Sequence, residues 1–113
     1  MKVIIAGSRG ITELSTIDDA VKHASINIAL VISGGARGVD LLGEQWANNN
    51  DIESVRYPAD WDTYGKAAGF KRNKEMSLVA DALIAIWDGE SKGTKNMIDT
   101  MIKLRKPIYI FRV

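Results

Sequence analysis

Cysteine is absent and histidine occurs once, as His23, so disulfides, thiolate metal sites and a histidine-based zinc cage are all excluded. Metal chemistry would need carboxylates alone, and no metal site is expected. Charge of one sign is missing as well: 15 basic residues face 14 acidic ones, for a formal net charge of +1. That balance creates no long-range field of the kind that recruits nucleic acid or an anionic membrane, so neither is expected as a partner. An anion site would have to be local. Long hydrophobic runs are lacking too. The apolar start, Val3 to Ala6, is interrupted by Gly7 and Arg9, short of the roughly 7 to 15 residues of a signal-peptide core. No other run approaches a membrane span, and a cytoplasmic location is the expectation.

What is present is an ordinary globular composition, 46% hydrophobic and 26% charged, which argues against disorder. With 113 residues, one core can be buried but not divided, so residues 1–113 are expected to form one domain. Short apolar runs alternate with longer amphipathic stretches, the pattern of repeated βα units around a parallel sheet. Val3 to Ala6, Ala29 to Ile32, Leu83 to Trp87 and Ile108 to Phe111 read as strands buried on both faces, with a weaker strand at Ser54 to Tyr57. Leu14, Ile17, Val21 and Ala24 fall on one helical face, as do Val39, Leu42 and Trp46, and then Met97, Met101 and Leu104. A less regular helix covers Gly69 to Val79. The expected fold is a three-layer α/β/α Rossmann-like domain with about five mainly parallel strands, whose strand-to-helix turns gather along one edge.

Those turns are glycine-rich and polar: Gly7-Ser8-Arg9-Gly10, then Ser33-Gly34-Gly35-Ala36-Arg37-Gly38, then Asp88 to Thr94. Glycine lets backbone approach a ligand closely, and the first amides of a helix lack intrahelical partners, so such turns can hold an anion. In the second turn the strand should end near Ser33 and the helix begin near Gly38 or Val39, with Ser33 and Arg37 as side-chain donors. A plain connecting turn would explain one such segment; three on one edge favour a binding site. Neither a Walker motif nor a Gly-x-Gly-x-x-Gly fingerprint is present.

Asp40 can answer the helix dipole or meet a ribose hydroxyl. Glu44, one turn on, reads as a solvated carboxylate or as a base if the pocket does chemistry. Gly93 is expected to allow close approach, Thr94 to cap its helix and face the ligand, and Lys92 to be a free cation. Arg9 can contact phosphate or make a surface ion pair, and Arg72 and Asn73 can reach the same edge. The aromatic loop Tyr57 to Gly65, with Trp61 and Tyr64, suits a wall for a base or a subunit contact, and a homo-oligomer is expected. His23 reads as an isolated surface residue.

Taken together, Gly7-Ser8-Arg9, Ser33-Gly34-Gly35-Ala36-x-Gly38-Val39-Asp40, Ala68-Gly69-x-x-Arg72-Asn73 and Gly89-x-x-x-Gly93-Thr94 resemble the YspA/YpsA-related group of the SLOG superfamily. That superfamily joins DNA-processing protein A, the LOG phosphoribohydrolases and nucleotide-sensing domains of bacterial and phage conflict systems. The resemblance implies a nucleotide site lined by Gly7, Ser8, Arg9, Ser33, Gly34, Gly35, Asp40, Arg72, Asn73, Gly93 and Thr94, for a ligand such as an ADP-ribose species. No cofactor is required beyond that nucleotide-type ligand. LOG hydrolases carry Pro-Gly-Gly-x-Gly-Thr-x-x-Glu, and here Met97 stands in the glutamate's place. A thioether cannot exchange a proton, so the resemblance implies a module that senses or sequesters its ligand. The competing expectation is a nucleotide glycosidase or phosphoribohydrolase using Glu44, Glu90 or Asp88. DNA binding, a third possibility, is disfavoured by the near-neutral charge.

Overall fold

The structure is a computed structural model describing residues 1–113. Five strands alternate with helices: β1 (Lys2–Gly7), α1 (Leu14–Ala24), β2 (Leu30–Ser33), α2 (Val39–Asn49), β3 (Glu53–Arg56), α3 (Trp61–Tyr64), α4 (Ala68–Val79), β4 (Ala82–Trp87), α5 (Lys92–Lys103) and β5 (Ile108–Arg112). A turn of 3₁₀ helix, Gly65–Ala67, leads into α4. The sheet order is β3-β2-β1-β4-β5 and every pairing is parallel. This is the Rossmann-like α/β architecture that the alternation of runs predicts. No helix is long and apolar enough to cross a membrane.

The alternation of side chains along each strand divides the core into two layers. Val3, Ile5, Ala82, Ile84 and Ile86 point to the face covered by α1 and α2, where Ile17, Ala20, Val39, Trp46 and Ala47 meet them. Ile4, Ile32, Leu83 and Ala85 point to the opposite face, against Met76 of α4 and Met97, Ile98 and Met101 of α5. Central strands β1 and β4 are covered on both sides, which is why they read as continuous apolar runs.

Two expectations of burial need correcting. Strand β5 lies at the edge of the sheet, so Ile110 is 45% exposed instead of buried on both faces. Leu104 is not on the buried face of α5: the helix stops at Lys103, and Leu104 follows it, 39% exposed. Arg105 next takes φ +56°, a left-handed conformation that ends the helix. His23 is not isolated; its ring packs edge-on against Phe111 with centroids 5.8 Å apart.

Candidate functional site

Helices α1 and α2 leave the sheet on one face, α4 and α5 on the other, and the reversal falls between β1 and β4. Connections diverge at such a switch point, leaving a crevice beyond the carboxyl ends of the two strands. A cleft of about 420 Å³ lies there. Ala6 to Gly10 follow from β1, Ala36 and Asp40 from the β2–α2 turn, Arg72, Asn73 and Met76 from α4, and Asp88, Ser91, Gly93, Thr94 and Met97 from the segment around the start of α5.

The β2–α2 turn is held by two close approaches. Gly38 has φ +81° and ψ −129°, a conformation open essentially to glycine, and a Cβ there would lie 2.6 Å from the Arg9 backbone. The turn therefore packs directly on the β1 turn. A Cβ on Gly34 would lie 2.7 Å from both Arg72 Nη1 and Asp40 Oδ2, so this glycine lets the guanidinium and the carboxylate converge.

Arg72 is half-buried, donates from Nη1 to the Gly34 carbonyl oxygen at 2.6 Å and from Nε to Asn73 Oδ1 at 3.1 Å, and leaves Nη2 without a protein partner. Burial lowers its pKa, an effect opposed by the nearby Asp40 charge, but a guanidinium stays charged. Asp40 is 8% exposed and accepts the Ala36 N–H at 3.1 Å. Burial pushes its pKa up to about 6, against the pull of that hydrogen bond and of Arg72. Asp88, in contrast, is held below the usual carboxylate range because the Glu90 and Ser91 N–H groups both donate to Oδ1 at 2.8 Å. The backbone N–H groups of Arg9, Gly10 and Gly93, all in the cleft lining, make no hydrogen bond within the protein.

A model of the YspA, cpYpsA-related SLOG family matches residues 1–64, β1 through α3. Gene 61 protein of Mycobacterium phage D29 is 34% identical over 119 residues, covering 97% of this chain and 95% of that protein. The chain belongs to this SLOG family. Among solved structures, DNA processing protein A from Streptococcus pneumoniae superposes with a TM-score of 0.77 at 15% identity, over 96% of this chain and 49% of that one. DNA processing protein A from Helicobacter pylori superposes with a TM-score of 0.73 at 24% identity, over 97% of this chain and 64% of that one. The SLOG domain thus spans about half to two thirds of those longer chains, and they share its fold.

One expectation falls here. The +1 net charge was reason to discount nucleic acid as a partner, yet the Helicobacter pylori protein, part of which has this fold, binds single-stranded DNA. Net charge sums over the whole surface, whereas a strand meets one edge. On this SLOG domain the +1 total does not prevent a local cluster: Arg9, Arg37, Arg56 and Arg72 line the two clefts at one edge of the sheet.

The family motifs do not all point into the cleft. Gly7, Ser8, Arg9, Ala36, Asp40, Arg72, Asn73, Gly93 and Thr94 line it. Gly38 shapes the turn from behind. Ser33 is not a ligand donor: fully buried, it gives its hydroxyl proton to Glu44 Oε2 at 2.6 Å and accepts the Gly35 N–H at 3.1 Å. Glu44 is therefore neither a solvated carboxylate nor a base in the cleft. Arg56 grips it at 2.6 and 3.0 Å, and these bonds hold its pKa below the usual range despite partial burial. Glu90 is exposed and outside the lining, and so is Lys92. Thr94 does not cap α5. Ser91 does, accepting the Thr94 N–H at 3.4 Å, and Thr94 is buried two residues inside the helix with its hydroxyl 3.0 Å from Ser91 Oγ. Gly93 lines the cleft, and outside its chain neighbours and own helix backbone nothing lies within 4 Å of where its Cβ would stand. Asn73 uses both amide hydrogens on Gly93 O and Asn96 Oδ1, which makes it a brace between α4 and α5.

Gly34, Gly35 and Arg37 line a second cleft of about 310 Å³ with Arg56, Pro58, Ala59 and Trp61, and Arg9, Ala36 and Arg72 border both clefts. Sequence reading missed Arg56, since nothing in Ser54 to Tyr57 marks it as the partner of a glutamate twelve residues earlier. Ser91 could have been found: it stands three residues before Thr94, the spacing of a helix cap.

Proposed function

We propose that the switch-point cleft binds the phosphate and ribose of a nucleotide-type ligand. The observation that carries this reading is the mixture of groups in one cleft. Arg9, Arg72 and the free N–H groups of Arg9, Gly10 and Gly93 are donors suited to phosphate. Asp40 and Asp88 are acceptors suited to ribose hydroxyls, and a site for bare phosphate would gain nothing from two carboxylates. Ala6, Met76 and Met97 supply apolar walls. Met97, 1% exposed, offers no proton where a hydrolase would have its glutamate, and Glu44 is engaged elsewhere. Both support holding the ligand over cleaving it. The narrower form of the reading is a sensor or sequestering module for an NAD-derived, ADP-ribose-like nucleotide in bacterial or phage conflict; family membership and a relative in a mycobacteriophage support looking there first.

A second reading is a single strand of nucleic acid whose phosphate occupies the same cleft, favoured by the fold shared with the Helicobacter pylori protein. Calorimetry on the full chain with AMP, ADP-ribose, NAD and an oligothymidylate, each at several salt concentrations, tests both. The first predicts one-site binding of a free nucleotide that weakens in Arg72→Met. Strand binding that falls steeply with salt, with no free-nucleotide binding, would favour the second. A folded protein that binds none of the four overturns both.

A further inference from the structure

The second cleft has no part in the reading above, and its walls differ from those of the first. Trp61, at the start of α3, is 52% exposed, and an indole left that open on a cleft wall is available for stacking. Its ring edge lies over Gly69. A Cβ at Gly69 would lie 3.4 Å from Trp61 Cη2 and 3.9 Å from Arg72 Nη2, so the ring edge and the unpartnered guanidinium nitrogen border the same space. The same cleft is lined by Arg56, fixed by Glu44 at 2.6 and 3.0 Å, and by the exposed Arg37. Between the two clefts stand Arg9 and Arg72, which border both.

An anion at that junction therefore has a ribose-compatible cleft on one side and an aromatic, cationic cleft on the other. We infer that the second cleft is a subsite for a second base-bearing unit, stacked on Trp61, so that the preferred ligand is a dinucleotide whose linking phosphate or phosphates meet Arg9 and Arg72. This inference rests on the proposed nucleotide reading of the first cleft. Its chemistry is common to a free dinucleotide pyrophosphate and to two successive residues of a single strand.

Calorimetry on the full chain would compare AMP, diadenosine 5′,5′-pyrophosphate and a 5′-phosphorylated deoxyadenosine dinucleotide, in the wild type, Trp61→Phe and Trp61→Ala. A stacked base is worth enough that one or both dinucleotides should bind the wild type about tenfold more tightly than AMP. Trp61→Phe should keep most of that ratio, and Trp61→Ala should bring it close to one, with unchanged circular dichroism. Which dinucleotide shows the gain separates the free ligand from the strand. AMP binding without any dinucleotide gain, or a gain that survives Trp61→Ala, overturns the subsite and leaves the first reading standing. Failure of all three ligands to bind overturns the subsite, and the first reading falls with it when ADP-ribose and NAD do not bind either.

Discussion

Arg72 Nη1 donates to the carbonyl oxygen of Gly34 at 2.6 Å, tying α4 to a turn that precedes it by 38 residues. The bond orients the guanidinium at the border of the two clefts and leaves Nη2 free there. Arg72→Lys keeps the charge but loses the planar fork. With one charge-assisted hydrogen bond to the turn gone, stability should fall by about 1.5 to 3 kcal/mol. Nucleotide affinity should drop about tenfold or more, because a point charge cannot serve the turn and a phosphate together. Urea unfolding and calorimetry on the same variant check the two effects.

Asp40 gives a pH dependence of definite sign. Its pKa is raised from 3.8 to about 6 by burial, so the folded state binds a proton more tightly than the unfolded chain. The ionised carboxylate is then a stability cost, absent below about pH 4, growing as pH rises through 6, and reaching roughly 3 kcal/mol above it. Asp40→Asn removes the titration and can still accept the Ala36 N–H. Denaturant unfolding should find the variant more stable than wild type at pH 8 by about 1 to 3 kcal/mol, with the difference shrinking towards pH 4. A constant difference across that range would show that Asp40 does not titrate as its burial implies.

Glu44 behaves in the opposite sense. Arg56 and Ser33 hold its pKa below the ordinary value of 4.5, so its contribution is present above that value and disappears as pH falls through the folded pKa. Glu44→Gln should cost about 1 to 2 kcal/mol at pH 7 through the weakened Arg56 and Ser33 bonds. Any release of free base from AMP should persist in this variant, since the carboxylate does not line the switch-point cleft. Loss of such an activity with intact folding would return Glu44 to a catalytic role.

Gly38→Ala should be strongly destabilising for so small a change. It forces an alanine into φ +81°, ψ −129°, and its methyl group against the Arg9 backbone at 2.6 Å. Conformational strain alone costs about 1 to 3 kcal/mol, and the contact adds to it. Gly10→Ala, where no atom lies within 4 Å of the new methyl, should change stability by less than about 1 kcal/mol. Thermal melts of the two variants side by side test the contrast.

The sheet was legible from periodicity because burial on both faces leaves a strong mark: Ile4, Ile5, Leu83, Ile84 and Ile86 have no solvent side. The edges were less legible. Ile110 has the composition of a buried residue but no strand beyond it, and Leu104 keeps the helical spacing after the helix has ended. In the site, Arg9, Asp40, Arg72 and Met97 could be named from local motifs, since a glycine-rich turn opening a helix constrains what its neighbours can do.

Sequence by itself determined the alternating βα order, the parallel sheet and the collection of three glycine-rich turns at one edge, because each follows from short-range patterning of apolar and turn residues. Tertiary structure decided which polar groups face the cleft. Ser33 turns inward to Glu44, Ser91 takes the cap from Thr94, Arg56 and Trp61 border a second cleft, and Asp40 is buried enough to carry a raised pKa. Each of these is a choice among hydrogen-bond and packing partners far apart in the chain. Such a choice is fixed by which partner burial brings within reach, and no local pattern encodes it.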